Sequence, residues 1–186
     1  YDDTEQIPSV LPSPFFYNIV NGATGIGVGL ATSIPTFNLR DVNKAMITLI
    51  KDPDAPFEKI YCPIDFPTGA TIINEAQVKE SLRDGKGKSA VVRATIEYDV
   101  EKHMLIVTEM PYMVYTETIC TQLGELLEAD PSIGIERVLD ATTETTRIEI
   151  MLAKKANAPQ MKEWLYANTS LQSYYGINMT MLDEGK

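Results

Sequence analysis

Four glycines fall at positions 22, 25, 27 and 29 of the stretch Val20–Pro35, VNGATGIGVGLATSIP, and they surround a single isoleucine, Ile26. Glycine is placed where backbone must turn sharply or approach another group closely, and it weakens helix and strand interiors. Whatever forms here is therefore not a long helix or a central strand. Three arrangements remain: a phosphate cradle, a tight turn with Ile26 plugging the core, or a wedge presented to a partner.

The phosphate cradle fails on spacing. A dinucleotide fingerprint reads G-x-G-x-x-G and opens a helix; here Gly25, Gly27 and Gly29 give G-x-G-x-G, Leu30 follows, and Pro35 stops any long helix. Gly87-Lys88-Ser89 resembles the end of a P-loop, but Leu82 stands where its first glycine belongs. Core plug and wedge both stay open. Some DNA-bending proteins insert an Ile, Leu or Phe between base pairs to kink the duplex.

The rest of the chain predicts an α+β fold, a small mixed or antiparallel sheet with helices on one face, preceded by an extended Gly/Pro-rich arm and a helix. Residues 1–16, with Pro8, Pro12 and Pro14, read as an extended lead-in. Asn38 is an N-cap, with Asp41 as half of a capping box. Val42, Ala45, Met46, Leu49 and Ile50 make one helical face, and Pro53 and Pro56 end that helix. Residues 53–74 are loop-rich and read as a hinge. A short helix carries Val78 and Leu82. Ser89–Tyr98 alternates as one strand, Asp99–His103 turns, and Met104–Met110 returns. A helix with Ile119, Leu123, Leu126 and Leu127, a strand over Arg147–Leu152, and a last helix opened by Pro159 complete the order. The domain limits expected are 1–52 for the arm, 53–74 for the connector and 75–186 for the α+β unit.

Composition narrows the chemistry. Cys62 and Cys120 form no CxxC, and His103 is the sole histidine, so neither a zinc site nor a disulfide framework is expected and the thiols read as reduced. No nucleophile triad is visible. No stretch has the length of a membrane span, no secretory leader opens the chain, and Tyr1 in place of Met suggests a piece of a longer protein. The net charge of −10 argues against nucleic acid, whose phosphates require clustered Lys and Arg, although net charge does not locate charge. It favours an alternative reading, a non-catalytic α+β module for protein interaction or small-ligand binding.

Five ordered motifs outweigh that objection. Asn21-Gly22-Ala23-Thr24-Gly25-Ile26-Gly27-Val28-Gly29-Leu30-Ala31-Thr32 with Ile34-Pro35-Thr36-Phe37-Asn38-Leu39, then Asp65-Phe66-Pro67-Thr68-Gly69, Gly85-Lys86-Gly87-Lys88 with Arg93, Glu109-Met110-Pro111-Tyr112, and Leu165-Tyr166 through Leu171-Gln172 to Gly176-Ile177-Asn178-Met179 run the length of the chain. Together they resemble the DNA-cleavage subunit of type IIA topoisomerases, most closely the A subunits of bacterial DNA gyrase and topoisomerase IV. That family carries VNG-x-x-GI-x-VG-x-AT-x-IPPHNL, DFPTG, a GRGK-type segment, EIPY, and LY-x-x-T-x-LQ followed by GINM.

The resemblance implies the tower domain and the arm leading into it. In this family two A-type and two ATPase-bearing B-type subunits, an A2B2 assembly, cut one DNA duplex, pass another through and reseal the break. It makes Ile26 the residue that intercalates into double-stranded DNA. Asn21, Gly22, Gly25 and Gly27 would lie close to that DNA, and Arg40, Lys44, Lys86, Lys88 and Arg93 would touch phosphate. The family's catalytic Tyr, beside an Arg, lies upstream of the segment matching Tyr1, so the chain alone is expected to be inactive. Tyr115-Thr116-Glu117 imitates the family's RYTE, but Val114 replaces the Arg and the motif follows EMPY rather than preceding it. Mg2+ and ATP would belong to the B-type partner, leaving no cofactor here, and the setting would be cytoplasmic and nucleoid-associated. The family's EIPYQVNK and IPPHN become Glu109–Thr116 and Ile34–Asn38 without the Asn-Lys pair and without the His, as in a divergent phage or mobile-element member.

Overall fold

The computed structural model describes residue 8 and residues 13–181; most of the proline-rich lead-in, Tyr1 included, lies outside the described residues. The fold is α+β, with three antiparallel sheets among the described residues rather than the one small sheet expected. A two-stranded ribbon pairs β1 (Ala23–Gly27) with β2 (Leu30–Ile34). A three-stranded sheet orders β3 (Thr71–Ile72), β4 (Ala90–Arg93) and β9 (Gln172–Tyr175) with β4 central. A four-stranded sheet runs β5 (Thr95–Asp99), β6 (Met104–Glu109), β8 (Ile148–Leu152), β7 (Ile135–Asp140). Among the described residues six helices accompany them: α1 (Tyr17–Val20), α2 (Leu39–Lys51), α3 (Phe57–Ile60), α4 (Glu75–Arg83), α5 (Thr116–Ala129) and α6 (Ala158–Asn168). No described helix is long and apolar enough to cross a membrane.

Each sheet buries a face in the way its residues dictate. In the four-stranded sheet Leu105, Val107, Ile148 and Ile150 share one face, and Ile119 and Leu123 of α5 with Met161 and Leu165 of α6 cover it. Helices on one face, as expected, are realised here. Ala90 and Val92 of β4 pack with Val78 of α4, Phe66 and Tyr175 in a second core. Ile34, Phe37 and Val42 of α2 form a third, which seats the base of the ribbon. The Asn38 side chain caps α2 by accepting from the Arg40 amide at 3.0 Å. Ile50, expected on the buried face of α2, is exposed instead.

The single strand expected over Ser89–Tyr98 is two strands in different sheets. The pleat continues, so the alternation continues, but the hydrogen-bond partners change at Ala94. Its amide donates to Leu171 O at 2.8 Å and its carbonyl accepts from the Tyr166 hydroxyl at 2.8 Å. A register shift at Thr95/Ile96 completes the handover. The 53–74 stretch is not bare loop either. It holds α3 and β3, and Ile64 bridges to Phe37.

Motifs far apart in sequence meet where the sheets join. Phe66 stacks on Tyr112 with ring centroids 4.8 Å apart and planes 13° apart, and Tyr175 packs against both. One oxygen of Glu109 accepts from the Thr95 hydroxyl at 2.5 Å and the Ala70 amide at 2.9 Å, tying β5 and the loop before β3 to the end of β6. Gly69, at φ +72°, is required there: a Cβ would stand 2.6 Å from the Glu109 carboxyl. The Thr95 hydroxyl first, and the Ala70 amide second, hold the Glu109 carboxyl below its ordinary value. A lowered folded-state pKa gives stability that is complete above the ordinary value of 4.5 and is lost as pH falls through the lower folded value. Glu109→Gln should therefore cost about 1 kcal/mol near neutral pH. Its unfolding curve should converge on the parent's as both are acidified; two curves that stay parallel across the acid range would remove this role.

Candidate nucleic-acid interface

The glycine cluster is an exposed β-ribbon. Strand β1 pairs Ala23 with Ile34 and Gly27 with Leu30, and Val28-Gly29 forms a two-residue turn. Gly29 has φ +77°, the positive value that the second position of such a turn demands. At the tip Ile26 is 95% and Val28 106% exposed, which overturns the reading of Ile26 as a core plug. Beside the ribbon lies a shallow, largely apolar groove of about 260 Å³, lined by Gly25, Ile26, Gly27, Leu30, Thr32 and Thr180.

The four glycines separate into two kinds. Gly22 is at φ +71°, and a Cβ there would sit 2.7 Å from Ile34 O, so the ribbon's own base needs it. Gly29 serves the turn. Gly25 and Gly27 have neither reason: their Cβ atoms would meet only ordinary contacts, at 3.6 Å to Thr32 and 3.7 Å to Leu30 O. Asn21 is exposed at the C-terminal end of α1, where its amide bonds Tyr17 O, and it lines a cleft with Thr36, Phe37, Asp65 and Tyr112.

A third and a fourth segment extend the ribbon sideways. Ser33 and Asn178 exchange both backbone hydrogen bonds, at 2.8 and 3.0 Å, and Met179 N donates to Gly85 O at 2.7 Å. Lys86 bridges to Asn178 from the other side. Thr24, Ser33, Asn178 and Lys86 thus form one row across four segments, and cross-strand partners share a face. Lys86 stands on the Thr24 and Ile26 face. Side chains secure the row: Asn178 Nδ2 donates to Ala31 O at 2.8 Å, Thr32 Oγ1 to Thr180 O at 2.8 Å, Ser33 Oγ to Gly176 O at 2.7 Å, and the Tyr175 hydroxyl to Ile34 O at 3.1 Å. Sequence reasoning missed Asn178, Ser33 and Thr32 as part of the site. The signal was the presence of both motifs, but nothing in either says that they pair.

The remaining cations divide. Arg40 is exposed and forms no ion pair among the described residues, Lys88 is exposed beyond Gly87, and Lys44 is exposed with Asp41 at 3.0 Å. Arg93 is spent internally. Its Nε donates to Gln172 at 2.7 Å, it pairs with Glu163 at 3.5 Å, and its guanidinium lies 4.7 Å from the centre of the Tyr166 ring. The structure does not bring Arg93 to the ribbon. Charge is segregated along the fold: residues 13–93 carry nine Lys or Arg against eight Asp or Glu, residues 94–181 six against thirteen. The ribbon half is close to neutral, and the four-stranded half holds most of the negative excess.

Among the described residues, no three His, Cys, Asp or Glu form a group able to hold a metal ion. Burial pushes the Cys62 and Cys120 thiols up, away from reactive thiolate. In a turn, His103 donates from Nε2 to Ala153 O at 3.0 Å and its Nδ1 shares a hydrogen bond with the Tyr98 hydroxyl at 2.7 Å, and Tyr115 lines a groove with Glu117 and Glu125, a poor place for a phosphate. Thermal unfolding tests the division of the glycines. Gly22→Ala should cost about 1–3 kcal/mol through its left-handed backbone and the 2.7 Å contact. Gly25→Ala and Gly27→Ala should change stability by less than about 1 kcal/mol. Equal losses at all three would mean that the ribbon, not a partner, needs every glycine.

The same residues place the chain among known proteins. The family model for the A subunit of DNA gyrase/topoisomerase IV matches residues 1–186. The chain is 35% identical over 192 residues to the DNA gyrase A subunit of Thermotoga maritima, covering 100% of this chain and 24% of that protein. It is 39% identical over 194 residues to the DNA topoisomerase 4 A subunit of Staphylococcus epidermidis, with 100% and 24% covered. To the DNA gyrase A subunit of Leptospira biflexa it is 37% identical over 185 residues, with 96% and 22% covered. The chain spans about a quarter of the length of these curated relatives. A match over every residue, at these identities, means that the chain belongs to the family of DNA gyrase and topoisomerase IV A subunits.

Proposed function

We propose that this chain is the duplex-bending part of the breakage-reunion subunit of an ATP-dependent type IIA topoisomerase. It holds and bends the DNA that is cut, while the catalytic Tyr lies in a part of the protein outside this chain. A homodimer of such subunits would join two B-type subunits that bind ATP and Mg2+, in a cytoplasmic, nucleoid-associated A2B2 enzyme. The observation that carries the reading is Ile26, an isoleucine held almost wholly in water at the tip of a ribbon that is anchored at its base.

Magnitudes show what the wedge can do. Burying an Ile side chain returns about 1.5–3 kcal/mol. Separating one base step costs about a few kcal/mol. The wedge alone roughly breaks even, so bending needs a second source of free energy, and phosphate contacts supply it. Lys86 on the wedge's own face, with Lys88 and Arg40 exposed, are the cations placed to give it. Gly25 and Gly27 leave the ribbon's flank open to close approach by the duplex. Binding of this kind is salt-sensitive, tolerant of base sequence and strongest on deformable DNA.

Ile26→Ala in the full-length protein tests the reading. The bend angle of a bound duplex, followed by energy transfer between dyes at its ends, should fall, and duplex cleavage should fall with it. The melting temperature should hold, because the side chain contributes nothing to a core. Lys86→Ala should weaken binding and lower the salt slope by about 1. A mutant lacking Ile26 that bends and cuts as the parent does would sink the wedge assignment.

A further inference from the structure

We infer that Asn178 is a positioning residue that fixes the distance and angle between the wedge, Ile26, and the cation, Lys86. The inference rests on the wedge reading above and extends it to a residue that need not touch DNA. Between the two stand only β2 and the segment Gly176–Thr180, and Asn178 is the residue in contact with both neighbours. Its backbone exchanges two hydrogen bonds with Ser33 on one side, and Lys86 bridges to it on the other. Its side chain adds a bond that no backbone could make there: Nδ2 reaches diagonally to Ala31 O at 2.8 Å, and Ala31 is the residue paired with Ile26. The side-chain oxygen is occupied in turn by the Thr180 hydroxyl at 2.6 Å, which fixes the amide's orientation. One side chain therefore links the cross-strand partner of the wedge to the row that holds the cation.

The geometry gives that link a purpose. Neighbouring strands lie about 4.8 Å apart, so three spacings put the Lys86 backbone about 14 Å from that of Thr24, two residues from Ile26. The minor groove is only about 6 Å wide. With Ile26 inserted in the groove, Lys86 falls over the flanking backbone, where a phosphate stands, rather than into the groove. A ribbon free to pivot at β2 would lose that match: Ile26 would still enter, but Lys86 would no longer meet its phosphate at the same bend angle. The side chain of Asn178 removes that freedom without adding to any core.

A double-mutant cycle on the full-length protein tests it, with bend angle as the readout and melting temperature as the control. Asn178→Ala should reduce and broaden the bend distribution, and at least halve the loss that Lys86→Ala otherwise produces, because Lys86 is already out of register. Thr32→Val, which keeps its shape and removes the hydroxyl bonds to Thr180 O and Asn178 O, should give a smaller change of the same kind from a half-buried position outside the three cores. It also stands in if Asn178→Ala fails to fold. Asn178→Ala or Thr32→Val that bends DNA as the parent does, or losses that simply add to those of Lys86→Ala, would overturn the positioning role while leaving the wedge intact. If Ile26→Ala itself leaves the bend unchanged, the wedge reading fails, and this inference falls with it.

Discussion

Every feature of the candidate interface depends on hydrogen bonds between β2 and the segment Gly176–Thr180. A two-stranded ribbon is marginal in water by itself. This one has almost nothing to bury, since β1 is exposed from Thr24 to Gly27. Its order comes from its base, where Ile34 is buried and bonded by Tyr175, and from its flank, where Ser33 pairs with Asn178. These partners lie about 140 residues apart in the chain. Closing so long a loop carries a large entropic cost, although that cost grows only logarithmically with length. The cores between them offset it, because β4 and β9 pair in the same sheet and deliver the last segment to the first. The later part of the chain thus supports the ribbon only through its base and flank, where Leu82 and Met179 pack around Ile34 and Tyr175 bonds it.

That dependence explains why the five motifs recur in order without being neighbours. Phe66, Glu109, Tyr112 and Tyr175 meet at one junction, and Gly22, Ile34 and Asn178 at the next. A pattern that looks like five signals in sequence is two joints in space. The same view resolves the charge objection. A net charge of −10 describes the whole chain, but the excess lies in residues 94–181 and in the termini, not around the ribbon. Repulsion from phosphate is long-ranged only within a Debye length of about 8–10 Å. Carboxylates farther than that from a bound phosphate do little to oppose its binding.

What could be read from sequence was what is encoded locally. Helices α2, α4, α5 and α6 announce themselves by period and caps, and the β5–β6 hairpin by alternation around a polar turn. The ribbon β1–β2 does not, because glycine has little strand preference and the apolar residues there face water. Strand β7, Ile135–Asp140, escapes because most of its residues are exposed at a sheet edge, and β9 because its partner β4 lies some 80 residues earlier. The β4–β5 handover is invisible for a different reason: side-chain alternation records the pleat and says nothing about which strand accepts the hydrogen bonds. The site divides likewise. Ile26 was legible as core or wedge, and only exposure decides between them. Arg93 was legible as a cation, but its engagement with Gln172, Glu163 and Tyr166 is tertiary.

Gly25 and Gly27 are not explained by the needs of the fold. Glycine in a strand interior costs about 0.5–1 kcal/mol relative to alanine. Gly22 and Gly29 return that cost through backbone conformations that other residues resist. Gly25 and Gly27 return nothing within the chain, for their surroundings would accept a methyl group. They stand on one face of β1 while Ile26 projects from the other, so the same two residues that bracket the wedge leave its strand thin. A strand that is thin on one face and carries an isoleucine on the other is poorly built to stabilise itself. Under the wedge reading proposed above, such a strand would enter a narrow space, and the minor groove of a duplex that opens on bending would be that space.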